Sequence, residues 1–161
     1  MLTNKLARFP PTARLLRHAD FERVYKDGRR HFSETMTVFY LARKQDEGAS
    51  VAQKRATPPL HGLRVGFTVG RALGGAVQRN RMKRRLREAV RLTRPVPGAA
   101  ADVVINPKKS LLKADFESVL KEVRRAFEVI EQKLYQRSRS ASGQDQTHGS
   151  AHMLPESGNK A

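Results

Sequence analysis

Apolar positions along this chain change their period several times, and each change marks an element. Phe21 and Tyr25 sit four residues apart in Asp20–Gly28, which predicts a short helix with both rings on one face. Asp20 is placed to cap its start and Gly28 to end it in a left-handed conformation. Met36 to Leu41 (MTVFYL) is β-branched and aromatic and predicts a strand, with another around Phe32 beside it. The polar stretch from Arg43 to Gly62 contains Gly48, Pro58 and Pro59 and predicts a long connection; Leu63 to Val69 then predicts a further strand. Gly70, Gly74 and Gly75 precede a helix expected over about Ala76–Thr93, stopped by Pro95 and Pro97. Asp102 to Asn106 is a short apolar strand ended by Pro107. From Asp115 onward, Phe116, Val119, Leu120, Val123, Phe127, Ile130 and Leu134 recur at helical spacing and predict one buried face.

The order is therefore α-β-β-β-α-β-α, an α+β domain. Residues 1–13 read as a flexible arm and 14–135 as the domain, with 43–62 as its long loop. Residues 136–161, rich in Ser, Gly and Gln, read as a disordered polar tail.

Charge changes the picture from fold to partner. The 161 residues carry 32 Lys+Arg against 15 Asp+Glu, a formal net charge of +17. A surface so basic gains by releasing the counterions of a polyanion. No apolar run reaches the roughly 18 residues that suggest a membrane span, and the basic N-terminus lacks an apolar signal core. No cysteine is present, so a disulfide framework, a thiolate metal site and a Cys nucleophile are excluded. A cytoplasmic protein with a nucleic-acid partner, no membrane and no small-molecule cofactor is the expectation.

Between Arg79 and Arg94 stand eight Lys or Arg and one acid, Glu88. On a helix, Met82, Leu86, Ala89, Val90 and Thr93 share an arc that would pack on the sheet. Asn80, Lys83, Arg84, Arg87 and Arg91 share a neighbouring arc. Arg79, Lys83, Arg87 and Arg91 form a like-charge ladder at i, i+4, which destabilises an isolated helix unless a polyanion lies along it. Solvated helix faces ordinarily mix signs; this one does not. The Asn80 amide both donates and accepts, which suits a 2′-hydroxyl or base edge as well as a local turn.

Catalytic machinery is not expected in the chain. A protein nuclease would need clustered carboxylates or an acid–base pair, and the acids here are scattered. His148 and His152 have metal-ligand spacing but lie in the polar tail, and Glu131 lies near a helix end without a partner Asp strand. No catalytic or metal-binding residue is assigned. Of the aromatics, Phe39 and Tyr40 must point to opposite faces of their strand, and one of those faces is core.

The stretch LRVGFTVGRALGGAVQRNRMKRRLREAVR resembles the signature of the bacterial ribonuclease P protein family. Arg79, Asn80, Arg81, Lys83, Arg84 and Arg87 keep the spacing of its R-N-R-x-K-R-x-x-R pattern. The resemblance extends over roughly residues 14–133. It departs from the usual pattern at Ala72, Gly75 and Asn106-Pro107. It implies a mixed four-stranded sheet, ribosomal-protein-S5-like, with a left-handed βαβ crossover. It also implies an accessory subunit in tRNA processing, one that binds ribonuclease P RNA through Arg79, Asn80, Arg81, Lys83, Arg84, Arg87 and Arg91. The RNA would hold Mg²⁺ and act as the endonuclease on precursor tRNA. The single-stranded 5′ leader would lie in a cleft with Phe21, Tyr25, Phe39 and Arg71; Tyr40 replaces Phe39 if the register moves by one.

Overall fold

A computed structural model describes residues 13–43, 62–93 and 100–143. The arm before Ala13, the interior of the 43–62 connection, Pro95, Pro97 and the stretch beyond 143 lie outside the described residues. The elements are α1 (His18–Asp27), β1 (Arg29–Phe32), β2 (Met36–Ala42), β3 (Leu63–Phe67), α2 (Ala76–Thr93), β4 (Ala101–Pro107) and α3 (Phe116–Gly143). Short 3₁₀ turns at Arg71–Leu73 and Lys109–Leu112 lead into α2 and toward α3. The expected order holds.

One mixed sheet of four strands runs β1-β2-β4-β3. β4 is antiparallel to β2 (Val38 opposite Ile105) and parallel to β3 (Val65 opposite Val103). Side chains alternate across it. Met36, Val38, Tyr40, Leu63, Val65, Val103 and Ile105 turn to one face and join Met82, Leu86, Ala89 and Val90 of α2. Val119, Val123, Ala126, Phe127 and Ile130 of α3 complete that core. The apolar stripe of α2 thus packs on α3 as well as on the sheet, while Thr93 is only half-buried, its hydroxyl donating to Ala89 O at 2.7 Å. On the other face α1 covers a smaller cluster of Leu15, Val24 and Val104, with Phe21, Tyr25, Phe39 and Leu41 against it.

The hand of the β3–α2–β4 crossover follows from the hydrogen bonds. Val65 sends its side chain into the α2–α3 core, and its carbonyl accepts from Leu15 N–H at 3.1 Å, on the side away from β4. Ile105 faces the same core, and its carbonyl accepts from Thr68 N–H, at the end of β3, at 3.1 Å. Consider an upward-running strand of L-residues, seen from the face to which a side chain points. That residue's own N–H and C=O then lie to the right. β3 is therefore right of β4, and a chain leaving β3 through a helix on this face returns one strand to the left. The crossover is left-handed, against a rule that holds in about 98% of parallel units. Alternation explains it: the residues that β3 and β4 send to the other face include Arg64, Gly66 and Asp102, and the apolar stripe of α2 could not be buried there.

Three local expectations are corrected. Asp20 does not cap α1; Arg17 holds that position, and the Asp20 carboxylate turns to Arg23 and Arg64 at 3.4 and 3.7 Å. Gly28 is extended (φ −79, ψ 166) rather than left-handed. Its glycine is required by space: a Cβ would stand 2.2 Å from the Val24 carbonyl oxygen and 2.9 Å from that of Tyr40. Finally, α3 continues past Tyr135 through Gly143, so the polar segment from 136 begins as helix. Low apolar content removes a reason to pack but supplies no helix breaker, and Gln, Arg and Ala favour helix. The Ser138 and Ser140 hydroxyls turn back to the Tyr135 and Gln136 carbonyls at 2.8 and 3.0 Å, so they do not compete for other backbone groups.

Candidate nucleic-acid interface

Phe21 and Tyr25 leave the same side of α1 because four residues make about one turn. Phe21 lies directly on the β3 backbone. A Cβ at Gly66 would stand 2.4 Å from Phe21 Cζ, so Gly66 is what lets the ring approach. Tyr25 meets Phe39 edge to face, with centroids 4.9 Å apart and planes at 77°. Its hydroxyl donates to Asn106 Oδ1 at 2.9 Å and accepts from the Thr68 hydroxyl at 2.8 Å. Arg30, opposite Phe39 in the β1–β2 register, places its guanidinium 5.2 Å from the Phe39 centroid. Tyr40 is buried on the opposite face, so the strand register puts Phe39 with Phe21 and Tyr25.

Beside these rings the α1 face is held by charge. Arg64 grips Asp102 through Nε at 2.7 Å and Nη2 at 2.6 Å, and the two are paired in register between β3 and β4. Arg43 lies 3.4 Å from the same carboxylate, and its guanidinium also donates to the Gly62 carbonyl. The hydrogen bonds that Arg64 donates to Asp102 hold it more firmly protonated than usual, whereas burial pulls Arg43 downward. Sequence reading missed this network. The available signal was one charge of each sign at Arg64 and Asp102, inside two otherwise apolar strands that a parallel pairing would bring together.

The basic residues of α2 divide into groups. Asn80, Arg81, Arg84 and Arg87 are exposed, Arg79 and Lys83 half-buried. Arg85 turns inward, donating to the Leu111 and Ala114 carbonyls, and so ties α2 to the segment that leads into α3. Arg91 is engaged by Glu88 (Nε to Oε2, 2.9 Å), and this bond holds the Glu88 carboxyl below the usual carboxylate range. Arg71 stands exposed on the 3₁₀ turn before α2.

The two surfaces that the sequence treated separately meet at the outer edge of β3. Leu15, whose N–H bonds to β3, lines a groove there with Leu16, Phe21, Gly66, Lys83 and Arg87. An aromatic ring of α1 and two cations of α2 thus face one channel. Tyr25 and Phe39 lie on the same sheet face as Phe21, away from that edge, and Arg71 is outside the groove lining. Such a channel offers a base a ring to stack on and its phosphates a row of cations. Among the described residues no three His, Cys, Asp or Glu side chains gather as a metal-ligand set, and no helix is long and apolar enough to cross a membrane.

Comparison with known proteins bears on the same residues. A curated relative from Ruegeria pomeroyi, a ribonuclease P protein component, is 42% identical over 90 residues, 53% of this chain and 72% of that protein. The corresponding protein of Symbiobacterium thermophilum is 38% identical over 115 residues, covering 71% of this chain and 88% of the relative. Among solved structures, the RNase P protein from Thermotoga maritima superposes with a TM-score of 0.56 at 25% identity, over 71% of this chain and 94% of that one. The family model described as Ribonuclease P matches residues 9–131, a span that takes in every element from α1 through β4 and most of the packed part of α3. The chain belongs to the ribonuclease P protein family.

Proposed function

We propose that this chain is the protein subunit of a ribonuclease P that removes the 5′ leader of precursor tRNA, and that it binds both RNAs of the reaction. The observation that carries the reading is the groove at the β3 edge, where Phe21 of α1 faces Lys83 and Arg87 of α2. In this reading Asn80, Arg81, Arg84 and Arg87, with Arg79 and Lys83, lie along the catalytic RNA. Their positive charge screens the repulsion between catalyst and substrate. The single-stranded leader enters along the groove with its bases against Phe21 and continues over the same sheet face past the Tyr25–Phe39 pair, with Arg71 near its path. Arg91, already held by Glu88, contributes only after exchanging that partner for a phosphate.

The chain acts as a binder, with the catalytic centre in the RNA. Several of its described acids serve structure: Asp102 and Asp20 with arginines, Glu122 with the Thr35 N–H and hydroxyl at 3.0 and 2.8 Å, Asp115 with the Ser118 hydroxyl at 2.7 Å. Mg²⁺ belongs with the RNA phosphates, where it would activate water and stabilise the leaving oxygen. The workplace implied is the cytoplasm.

Reconstitution tests the reading. Added to a bacterial ribonuclease P RNA at low Mg²⁺, the chain should stimulate cleavage of precursor tRNA, more for substrates with a leader of several nucleotides than for those with a very short one. Absence of stimulation would overturn it.

A further inference from the structure

The charge on α3 changes along its length. Up to Glu131, where the family match ends, Glu117, Glu122, Glu128 and Glu131 alternate with Lys121, Arg124 and Arg125. Beyond it the helix carries Lys133, Arg137 and Arg139 and no acid through Gly143. Lys133 and Arg137 are one turn apart and share a side, and that side is not open solvent on all flanks. They line a depression together with Arg29 of β1, Asp27 at the end of α1 and Tyr40 of β2. Asp27 is the one acid among its lining residues, against three cations.

Among the described residues β1 is an edge strand that pairs with β2, so this depression opens at a margin of the sheet. The groove with Phe21, Lys83 and Arg87 lies at the β3 margin, the opposite one. His31, on the same side of β1 as Arg29, senses the crowding: partial burial lowers its pKa, and Arg125 and Lys133 lower it further. Like charges gathered with so little compensation destabilise the free protein and are offset when an anion settles between them. The fully buried residues of the helix end at Ile130, and Leu134 is the last side chain packed against the core, so apolar packing does not account for the cationic turns beyond it.

We infer that the overhang of α3 and the β1 edge form a second RNA-backbone site, in which Lys133, Arg137 and Arg29 hold phosphates of the catalytic RNA apart from those gripped by α2. The inference rests on the RNA-binding reading above. It makes the protein a bridge with cationic contacts at both margins of its sheet, one built from residues inside the family match and one largely from residues beyond it.

Affinity of the full chain for a bacterial ribonuclease P RNA, measured over a salt series, tests it. Each phosphate contact contributes about 0.9 to the slope of log K against log salt. Lys133→Gln with Arg137→Gln should therefore lower that slope by roughly one to two units, with the thermal midpoint unchanged. Lys133→Arg with Arg137→Lys should restore it. Arg139→Gln, on the far side of the helix, should leave it as in wild type; an equal loss there would replace the site by diffuse helix charge and overturn the inference. Arg84→Gln with Arg87→Gln separates the two levels. If that pair lowers the slope and the Lys133/Arg137 pair does not, the second site falls and the reading stands. If neither pair lowers it, both fall.

Discussion

The two faces of the sheet are made by alternate residues of the same strands, yet they are held together in different ways. On the α2–α3 face, Val38, Val65, Val103 and Ile105 are fully buried against Met82, Leu86, Val123 and Ile130. On the α1 face, the intervening positions bring Arg64, Gly66, Asp102 and Asn106 under a helix that offers two aromatic rings. The first face is stabilised by area removed from water, which is graded and tolerant of small changes. The second depends on specific partners, where losing one leaves another buried and unpaired. The candidate RNA groove opens beside the second face. A surface that must receive bases and phosphates needs rings and cations that are ordered but not sealed, and a uniformly apolar face would close over them.

The sharpest way to break this contrast is at Asp102. Asp102→Ala leaves Arg64 and Arg43 without their carboxylate and should cost about 3–5 kcal/mol in denaturant unfolding. Asp102→Leu combined with Arg64→Met should recover much of that loss; a double variant as unstable as the single would show that the pair does more than satisfy itself. Gly66→Ala comes next, at about 1–3 kcal/mol, because a methyl group there collides with the Phe21 ring. It should also weaken affinity for leader-bearing substrate more than for ribonuclease P RNA, as should Phe21→Ala. Equal losses for the two RNAs would place Phe21 in the core alone.

On the apolar face, Ile105→Val should cost only about 0.5–1.5 kcal/mol and leave both RNA affinities unchanged. The smallest effect concerns His31, at the β1 margin. Its folded-state pKa lies below the ordinary histidine value of 6.5, first through burial and then through Arg125 and Lys133. The folded chain therefore binds fewer protons than the unfolded one, and stability declines as pH falls from above 6.5 toward the folded value. His31→Gln should flatten that part of the unfolding profile between pH 7 and 5; an unchanged profile would assign it to other groups.

Much of the fold was legible because period and punctuation agreed. The α2 boundaries, the strands β2, β3 and β4 themselves, and the buried stripe of α3 were readable from spacing alone. The spacing of Arg79, Asn80, Arg81, Lys83, Arg84 and Arg87 was equally plain. What spacing could not supply was which cation turns outward. Arg85 sits amid exposed arginines yet serves two carbonyls beyond α2, and Arg91 is held by Glu88. Gly28 was readable as a helix end but not for its reason, which is space: a Cβ there would meet the Val24 carbonyl oxygen of its own helix first and that of Tyr40 in β2 next.

By itself, then, the sequence determined the elements, their apolar faces and the excess of positive charge, since these depend on neighbours within a few residues. Only the tertiary structure decided the pairing of Arg64 with Asp102 and the meeting of Phe21 with Lys83 and Arg87 at one edge. It also gave a physical basis to the left-handed crossover and the choice of Phe39 over Tyr40, expected until then only through the family resemblance. Those depend on strand register and on which face each helix takes, and both are fixed by contacts between residues far apart in the chain.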